Sequence, residues 1–454
     1  MTDSYWDNDA TQVIPAVTTS PWVAWFSPAE PTQAIPAQAV PMQAIPAQAG
    51  PTQTIPTQTI PTQEMPTQVI PIQAVPTQAE PTQAIPTQTE PTQAVPAPAK
   101  PRALWADVAK GVCILLVVLW HVIMKHYLQI TWHLPVPLPG AWGTFGNQLL
   151  PLRMPVFFTI SGMLAAAAAQ RPWSVVRKTR IAKFYYLYAV WFTVHTVVLA
   201  MVPDFDTLAA HSVRDVIEQL TITPTNLWYL IALAVYFVVA KLTRNLPVWA
   251  VLTPALVLAA IAGAGLLAAP GNRGQLYQNL FFFLAGLRLK PLVERWAKMS
   301  TMRVFLIGVA GYAVVMVIMQ ALHAQTWFGV WPVVSLLAVA VGVAGAVQLE
   351  RLTKLAAMLA KLGQNTLPIY VMHIPLLALL HAALLGAFSR ASMPVQLLLA
   401  VVLPIVLTAL LVSVCLTLNT WLRNAGATWL FDLPKHLPNR SLPAGDRVRV
   451  PDRR

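Results

Sequence analysis

The chain has 454 residues, of which 56% are hydrophobic and only 10% charged, and its formal net charge is +13 at pH 7. Such a balance is far from that of soluble proteins and predicts a polytopic membrane protein. The basic residues flank apolar segments rather than forming a continuous patch, which excludes a nucleic-acid footprint as the reason for the positive charge.

Residues 1–102 form a separate region that is rich in proline and glutamine. From Pro31 to Lys100 a proline recurs about every five residues, mostly as Pro-x-Gln. Proline lacks a backbone donor and is excluded from helix interiors, so we expect a disordered, extended arm with polyproline II character. We interpret the arm as a cytoplasmic spacer, and the alternative is a docking segment for a partner protein.

Ten apolar segments between residues 103 and 425 have roughly the length needed to cross a membrane. They begin near residues 104, 147, 184, 226, 248, 276, 304, 328, 364 and 395. Most Lys and Arg residues fall in alternate connections, which predicts about ten transmembrane helices with both termini in the cytoplasm. The expected fold is an all-α integral membrane protein of the plasma (inner) membrane, with a basic cytoplasmic tail over residues 426–454.

The first apolar segment carries three ionisable side chains, Asp107, Lys110 and His121. Because a helix turns once in about 3.6 residues, Lys110 and His121 share one face, roughly 16 Å apart along the axis. Ionisable groups at membrane depth usually line a protein interior or a water-filled cavity, which makes them candidates for function. The alternative is that Asp107 and Lys110 flank the membrane and that His121 only forms interhelical hydrogen bonds.

The second segment, which starts near Asn147, adds Arg153 in its outer part and Ser161 in its inner half. Pro151 and Pro155 leave backbone carbonyls without their usual donors, and neighbouring groups or water then satisfy them. These features predict a kinked helix that lines a cavity.

The ninth segment carries a polar stripe at helical spacing. Its members are Asn365, Thr366, Tyr370 and His373. Taken singly, each is explained as well by helix packing as by catalysis. We interpret His195, Asn279 and His381 as packing or interhelical hydrogen bonding, and the spacing of Cys113 and Cys415 predicts neither a metal nor a redox pair.

In combination these motifs resemble the acyltransferase-3 family of membrane enzymes that O-acetylate sugars and glycolipids. Residues 107–111 (Asp-Val-Ala-Lys-Gly) lead to residues 117–121 (Val-Val-Leu-Trp-His), and the family places a Lys or Arg ten intervening residues before its catalytic His, as Lys110 and His121 stand here. Further landmarks of the family are similar to residues 153–162, 226–230, 281–286 and 362–373.

One departure from the family pattern narrows the resemblance. Many bacterial members carry Trp-Ser-Leu-x-x-Glu, where this chain has Leu227-Trp228-Tyr229-Leu230. The chain therefore resembles the fucose-acetylase-like branch more closely. The high Ala, Val and Trp content suggests a still narrower similarity to actinobacterial acetyltransferases that modify trehalose monomycolate.

The resemblance implies an acetyl-CoA donor in the cytoplasm and a sugar or glycolipid acceptor, with membrane lipid around the protein and no metal. Acyl transfer to a hydroxyl needs a base, and His121 is the candidate because the pKa of histidine is near neutral. Asp107 pairs with or orients Lys110, or is purely structural. Donors for the oxyanion are sought among Arg153, Tyr370 and Ser161.

Two binding regions complete the hypothesis. The acetyl-CoA site is assigned to Lys110, Ser161, Arg177, Lys178 and Arg180, and the acceptor site to Trp228 and His373. Two other functions stay open: a transporter or flippase for a lipid-linked sugar, and a scaffold that recruits partners through the proline-rich arm. The sequence leaves the oligomeric state and the acceptor unassigned.

Overall fold

The computed structural model describes residues 103–205, 207–210, 212–221, 223–267, 269 and 271–434. The predicted disordered arm and residues 435–454 of the predicted tail lie outside the described residues. Where the chain is described it is almost entirely helical and contains no strand. The prediction of an all-α membrane protein is confirmed.

The helices of the described residues are short at the connections and long in the apolar segments. In chain order they are α1 Leu104–Lys125, α2 Leu138–Gln148, α3 Leu150–Gln170, α4 Trp173–Val176, α5 Lys183–Ala200, α6 Val213–Thr221, α7 Trp228–Leu242, α8 Val248–Gly263, α9 Arg273–Arg288, α10 Lys290–Met299, α11 Met302–Ala321, α12 Val330–Glu350, α13 Thr353–Gln364, α14 Thr366–Ser389 and α15 Met393–Asn424. A π-helical stretch, Arg177–Ala182, joins α4 to α5.

All ten predicted apolar segments are helical, but they differ in their capacity to cross a membrane. Six helical stretches of the described chain are long and apolar enough, namely Leu104–Gln129, Leu138–Gln170, Met302–Ala321, Val330–Glu350, Thr366–Ser389 and Met393–Asn424. Two further apolar helices, α7 and α8, are shorter. The predicted number of about ten spans is not confirmed and stays a prediction.

The second segment starts later than the sequence suggested. A break at Leu149 separates α2 from α3, and Pro151 falls in the first turn of α3 rather than in its interior. At that position a missing N–H costs no intrahelical hydrogen bond, so the prediction of two interior prolines was wrong. Only Pro155 lies inside α3, and Thr159 donates a hydrogen bond of 2.8 Å to the Pro155 carbonyl.

The polar stripe of the ninth segment is likewise shorter than predicted. Asn365 lies at the junction between α13 and α14, and its side-chain amide donates to the Lys361 carbonyl at 2.8 Å. This contact caps the end of α13, where carbonyls lack intrahelical partners. The stripe on α14 is therefore reduced to Thr366, Tyr370 and His373.

A glycine contact joins α1 to α13. A Cβ atom on Gly111 would lie 2.0 Å from the Leu359 carbonyl oxygen, and one on Gly363 would lie 1.9 Å from the Asp107 carbonyl oxygen. Only glycine allows two helix backbones to approach so closely, as in other membrane helix pairs. The glycines of two family-like landmarks therefore hold α1 in place.

A second glycine contact joins α3 to α9 in the same manner. A Cβ atom on Gly162 would lie 2.0 Å from the Phe283 carbonyl oxygen, and one on Gly286 would lie 2.0 Å from the Thr159 carbonyl oxygen. The two helices that carry His121 and Arg153 are thus each fixed by a backbone contact with a neighbour.

The described part of the tail packs against the helical bundle. Phe431 is buried, and the indole of Trp191 donates to the Leu430 carbonyl at 2.6 Å. Asp432 forms ion pairs with Lys183 of α5 and Arg423 of α15. Residues 430–432 are therefore tied to the bundle by both apolar and ionic contacts.

Candidate active site

A cavity of about 180 Å³ brings together residues from five helices and three connections. It is lined by Val117, Trp120, His121, Lys125, Arg153, Met154, Thr207, Leu208, Asn226, Trp228, Asn272, Gln275 and Tyr370. Four residues singled out in the sequence, His121, Arg153, Trp228 and Tyr370, therefore share one cavity although they are far apart in the chain.

His121 lies in the second half of α1, and its ring has a defined proton arrangement. Nδ1 is 2.8 Å from the Val117 carbonyl oxygen, one turn earlier in the same helix. A carbonyl oxygen can only accept a hydrogen bond, so the neutral ring carries its proton on Nδ1. Nε2 then keeps its lone pair, which is the form that a general base requires.

His373 lies behind His121 rather than on the cavity surface. Its Nε2 is 3.4 Å from Nδ1 of His121, and the two ring centroids are 4.9 Å apart. Its Nδ1 donates to the Tyr370 carbonyl at 2.7 Å. The acceptor-binding role predicted for His373 stays untested, and its described polar contacts are with His121 and the backbone of α14.

Arg153 is a cavity residue that can stabilise negative charge. Its side chain is 5% exposed, and its guanidinium carbon lies 4.4 Å from the centroid of the Trp120 ring. Nη1 is buried and makes no hydrogen bond to the described residues. A buried charged donor of this kind is a strong partner for a developing oxyanion.

Tyr370 and Ser161, the other two donors considered from the sequence, are already engaged. The Tyr370 hydroxyl donates to the Asn226 carbonyl at 2.7 Å and accepts from the Tyr229 backbone N–H at 3.2 Å. Ser161 is hydrogen-bonded to the Tyr229 hydroxyl and does not line the cavity. The geometry thus favours Arg153 over both as the oxyanion donor, and it gives Tyr370 the task of holding the start of α7.

One wall of the cavity consists of polar residues from the connections. The side chain of Asn272 donates to the Thr225 carbonyl at 2.9 Å, and the amide of Asn226 donates to the hydroxyl of Thr207. Gln275, in the first turn of α9, completes this amide-rich wall. Of these residues only Asn226 belonged to a landmark in the sequence, because isolated polar residues in connections carry no periodic signal.

Asp107 and Lys110 are on α1, as predicted, but outside the cavity lining. Asp107 is buried and accepts a hydrogen bond of 3.2 Å from the side chain of Gln364 in α13. Helix rise places Asp107 roughly 21 Å and Lys110 roughly 16 Å from His121 along the axis. These two residues and His121 therefore form separate groups on one helix.

The predicted basic loop is also separate from the cavity. Arg177 and Lys178 are exposed, whereas Arg180 is partly buried, with its guanidinium carbon 5.7 Å from the centroid of the Phe237 ring. Burial, together with the charge of Arg171, lowers the pKa of Arg180 below its ordinary value. None of the three lines the cavity. Of the residues predicted to bind acetyl-CoA, only Lys110 shares a helix with His121.

The remaining buried histidines have partners inside the bundle. Nε2 of His195 donates to the Val371 carbonyl at 2.8 Å, which Pro375, lacking an N–H, leaves without its usual helical donor. His381 pairs with His126, with 3.2 Å between their Nδ1 atoms. The predicted packing and hydrogen-bonding roles of His195 and His381 are confirmed, and His126 is a partner that the sequence did not reveal.

Comparison with known proteins gives two matches. The family model described as "Acyltransferase domain" matches residues 103–418, a range that contains every residue of the cavity lining. Inner membrane protein YcfT of Escherichia coli (strain K12) is 28% identical over 329 residues, which cover 68% of this chain and 89% of that protein. No solved structure shows a significant match. The two matches do not distinguish the fucose-acetylase-like branch from other branches.

Proposed function

This chain belongs to the acyltransferase-3 family, and from that premise we propose that it is a membrane O-acetyltransferase. The acetyl group passes from acetyl-CoA to a hydroxyl of a cell-envelope sugar or glycolipid. The observation that carries the proposal is the neutral His121 ring at the cavity, with its proton held on Nδ1 by the Val117 carbonyl and the lone pair left on Nε2.

The proposed reaction uses two cavity residues. The acceptor hydroxyl gives its proton to Nε2 of His121 as its oxygen attacks the thioester carbonyl carbon. The carbonyl oxygen becomes negative and is stabilised by the guanidinium of Arg153. When the carbon–sulfur bond breaks, His121 returns the proton to the leaving thiolate, so that the products are the acetyl ester and free CoA.

The composition of the cavity wall supports a sugar acceptor. Asn226, Asn272 and Gln275 offer amide donors and acceptors that match hydroxyl groups, and Trp120 and Trp228 offer aromatic surface beside them. A pocket with a few converging polar groups among aromatic residues is the usual arrangement for a small polar ligand.

The donor is proposed to enter from the opposite, cytoplasmic side. Lys110 and the residues Arg177, Lys178 and Arg180 would bind the CoA phosphates, and Ser161 would lie along the path of the pantetheine arm. Support comes from the spacing along α1, which sets Lys110 roughly 16 Å before His121, and from the positive-inside distribution of Lys and Arg. Under this arrangement only the acetyl group crosses to the acceptor.

The test uses purified protein in sealed vesicles of both orientations, with labelled acetyl-CoA and an impermeant disaccharide acceptor, trehalose. We expect acetylated trehalose only when acetyl-CoA is on the side of the Arg177–Arg180 loop and trehalose on the other. Transfer only with both on the same side would disprove the cross-membrane arrangement, and transport of trehalose without acetylation would favour the transporter alternative. Mass spectrometry of cell-envelope glycolipids from a deletion strain then identifies the natural acceptor.

A further inference from the structure

The second histidine of the site has a hydrogen-bonding pattern that determines what it can do. Nδ1 of His373 lies 2.7 Å from the Tyr370 carbonyl oxygen and 3.2 Å from the Ile369 carbonyl oxygen. Since carbonyl oxygens only accept, the His373 proton is on Nδ1 and Nε2 carries a lone pair. That lone pair faces Nδ1 of His121 across 3.4 Å.

We propose that His373 is the positioning residue of the site, and this inference rests on the proposed function. The Nδ1–H of His121 donates both to the Val117 carbonyl and to Nε2 of His373. The contact with His373 thereby fixes the orientation of the His121 ring. When Nε2 of His121 takes the acceptor proton, the ring becomes an imidazolium and its Nδ1–H becomes a stronger donor. His373 then stabilises the charged form without touching the substrate.

This arrangement replaces the carboxylate that orients the histidine in a Ser-His-Asp triad. The described residues that line the cavity include no Asp or Glu. A buried carboxylate at membrane depth needs a charged partner or several donors, whereas a neutral imidazole needs only one donor and one acceptor. His373 is 1% exposed and meets both needs, with backbone carbonyls on one side and His121 on the other.

The same turn of α14 connects the base to the opposite wall of the cavity. Tyr370, whose carbonyl holds the His373 ring, uses its hydroxyl to hold the Asn226 carbonyl and the Tyr229 N–H. One short series of hydrogen bonds therefore connects the wall at Asn226 with His121. The position of the base and the position of the acceptor are set by one helical turn.

Three variants separate positioning from simple packing. His373→Gln keeps an acceptor oxygen near the position of Nε2, whereas His373→Leu keeps a similar volume and removes the acceptor. His195→Leu is the matched control, since His195 is also a buried histidine bonded to a backbone carbonyl of α14. Size-exclusion profiles and melting temperatures in detergent establish that each variant is folded.

Kinetics of thiol release from acetyl-CoA, with trehalose as acceptor, give the first readout. We expect His373→Leu to lower kcat about 10- to 100-fold, the size of effect seen when the outer hydrogen-bond partner of a metal-bound histidine is removed, with the KM for acetyl-CoA within about twofold of wild type. His373→Gln should recover most of that loss, and His195→Leu should leave kcat near the wild-type value. Equal losses in all three variants, or an unchanged kcat in His373→Leu, would overturn the inference.

The second readout does not depend on activity. Nitrogen NMR of protein labelled with ¹⁵N in the histidine rings, assigned with His121→Ala and His373→Leu, reports which ring nitrogen carries each proton. When both imidazole rings are uncharged, we expect each of them to carry its proton on Nδ1. A proton on Nε2 of His373 would disprove the pairing, because that nitrogen could not accept. Nδ1–H on both rings in a protein that releases no thiol would instead reject the proposed function and leave the pairing intact.

Discussion

The two halves of α1 present similar polar residues in different surroundings. In the first half, Asp107 is buried against α13 and is bonded to Gln364, beside the Gly111–Gly363 contact. In the second half, His121 opens to a cavity in which Arg153 keeps a buried nitrogen without a described hydrogen-bond partner. The comparison shows that one apolar helix can bury a polar residue against a neighbouring helix at one end and open another to a cavity that can admit a ligand at the other end.

His121→Ala tests the cavity-facing half of α1 and has the largest expected effect. We expect acetyl transfer to fall about 10²- to 10⁴-fold, which is the usual contribution of a general base, with normal membrane insertion because the smaller side chain faces a cavity. Initial rates of acetyl-CoA thiol release in detergent measure the effect. Turnover near the wild-type value in a folded variant would show that the second half of α1 is structural as well.

Arg153→Gln tests the other chemical residue of the cavity. Loss of an oxyanion donor should lower kcat about 10²- to 10³-fold, with little change in the KM for acetyl-CoA. Arg153→Lys is the control that keeps the charge and loses the planar guanidinium over Trp120. A variant that changes only KM would assign Arg153 to substrate binding instead of transition-state stabilisation.

Gly363→Ala tests the structural half of α1. The added Cβ would lie 1.9 Å from the Asp107 carbonyl oxygen, so α13 must shift, at a cost of about 1–3 kcal/mol of stability. Gly311→Ala in α11 is the matched control, since a Cβ atom on Gly311 would meet no described atom within 4 Å. Thermal melting in detergent should show a lower Tm for Gly363→Ala alone, and equal Tm values would mean that the close crossing is unimportant.

The smallest effect is expected at the ionic contact of the C-terminal segment. Burial raises the pKa of Asp432, but hydrogen bonds and charges from Lys183 and then Arg423 outweigh it, so the pKa lies below its ordinary value. A carboxyl with a lowered folded pKa stabilises the protein above its unfolded pKa, about 3.9 for Asp, and that stabilisation is lost as pH falls through the folded value.

The corresponding measurement compares melting temperatures of wild type and Asp432→Asn. The wild type should be slightly more stable at neutral pH, and the difference should shrink only below about pH 4, where the free carboxyl begins to take up protons. A difference that persists unchanged in acid would assign the contribution of Asp432 to its size or polarity rather than to its charge.

Sequence motifs were sufficient to identify the family and four residues of the cavity lining. His121, Arg153, Trp228 and Tyr370 each belong to a landmark, and the structure brings them together. Periodicity placed Asp107 and His121 on one helix but could not predict that their surroundings differ. Asp107 accepts a hydrogen bond from Gln364, which is far away in the sequence.

The rest of the site depends on contacts between distant segments. Thr207, Asn272 and Gln275 lie in or beside connections, where neither helical spacing nor hydrophobicity distinguishes a cavity residue from an exposed one. His373 and His121 were both candidates in the sequence, but their contact was not predicted, because it depends on how α14 packs against α1. The start of α3 was misplaced because a proline is compatible with the first turn of a helix as well as with a kink.

The glycine contacts also restrict the rotation of α1 and α3. A rotation of α1 by one residue, about 100°, would bring a residue with a side chain to the position of Gly111 against α13. Even a Cβ atom there lies 2.0 Å from the Leu359 carbonyl oxygen. The contact at Gly111 therefore prevents α1 from rotating about its axis, and the contact at Gly162 prevents rotation of α3. His121 and Arg153 are therefore carried by two helices whose rotation is blocked by backbone contacts with their neighbours.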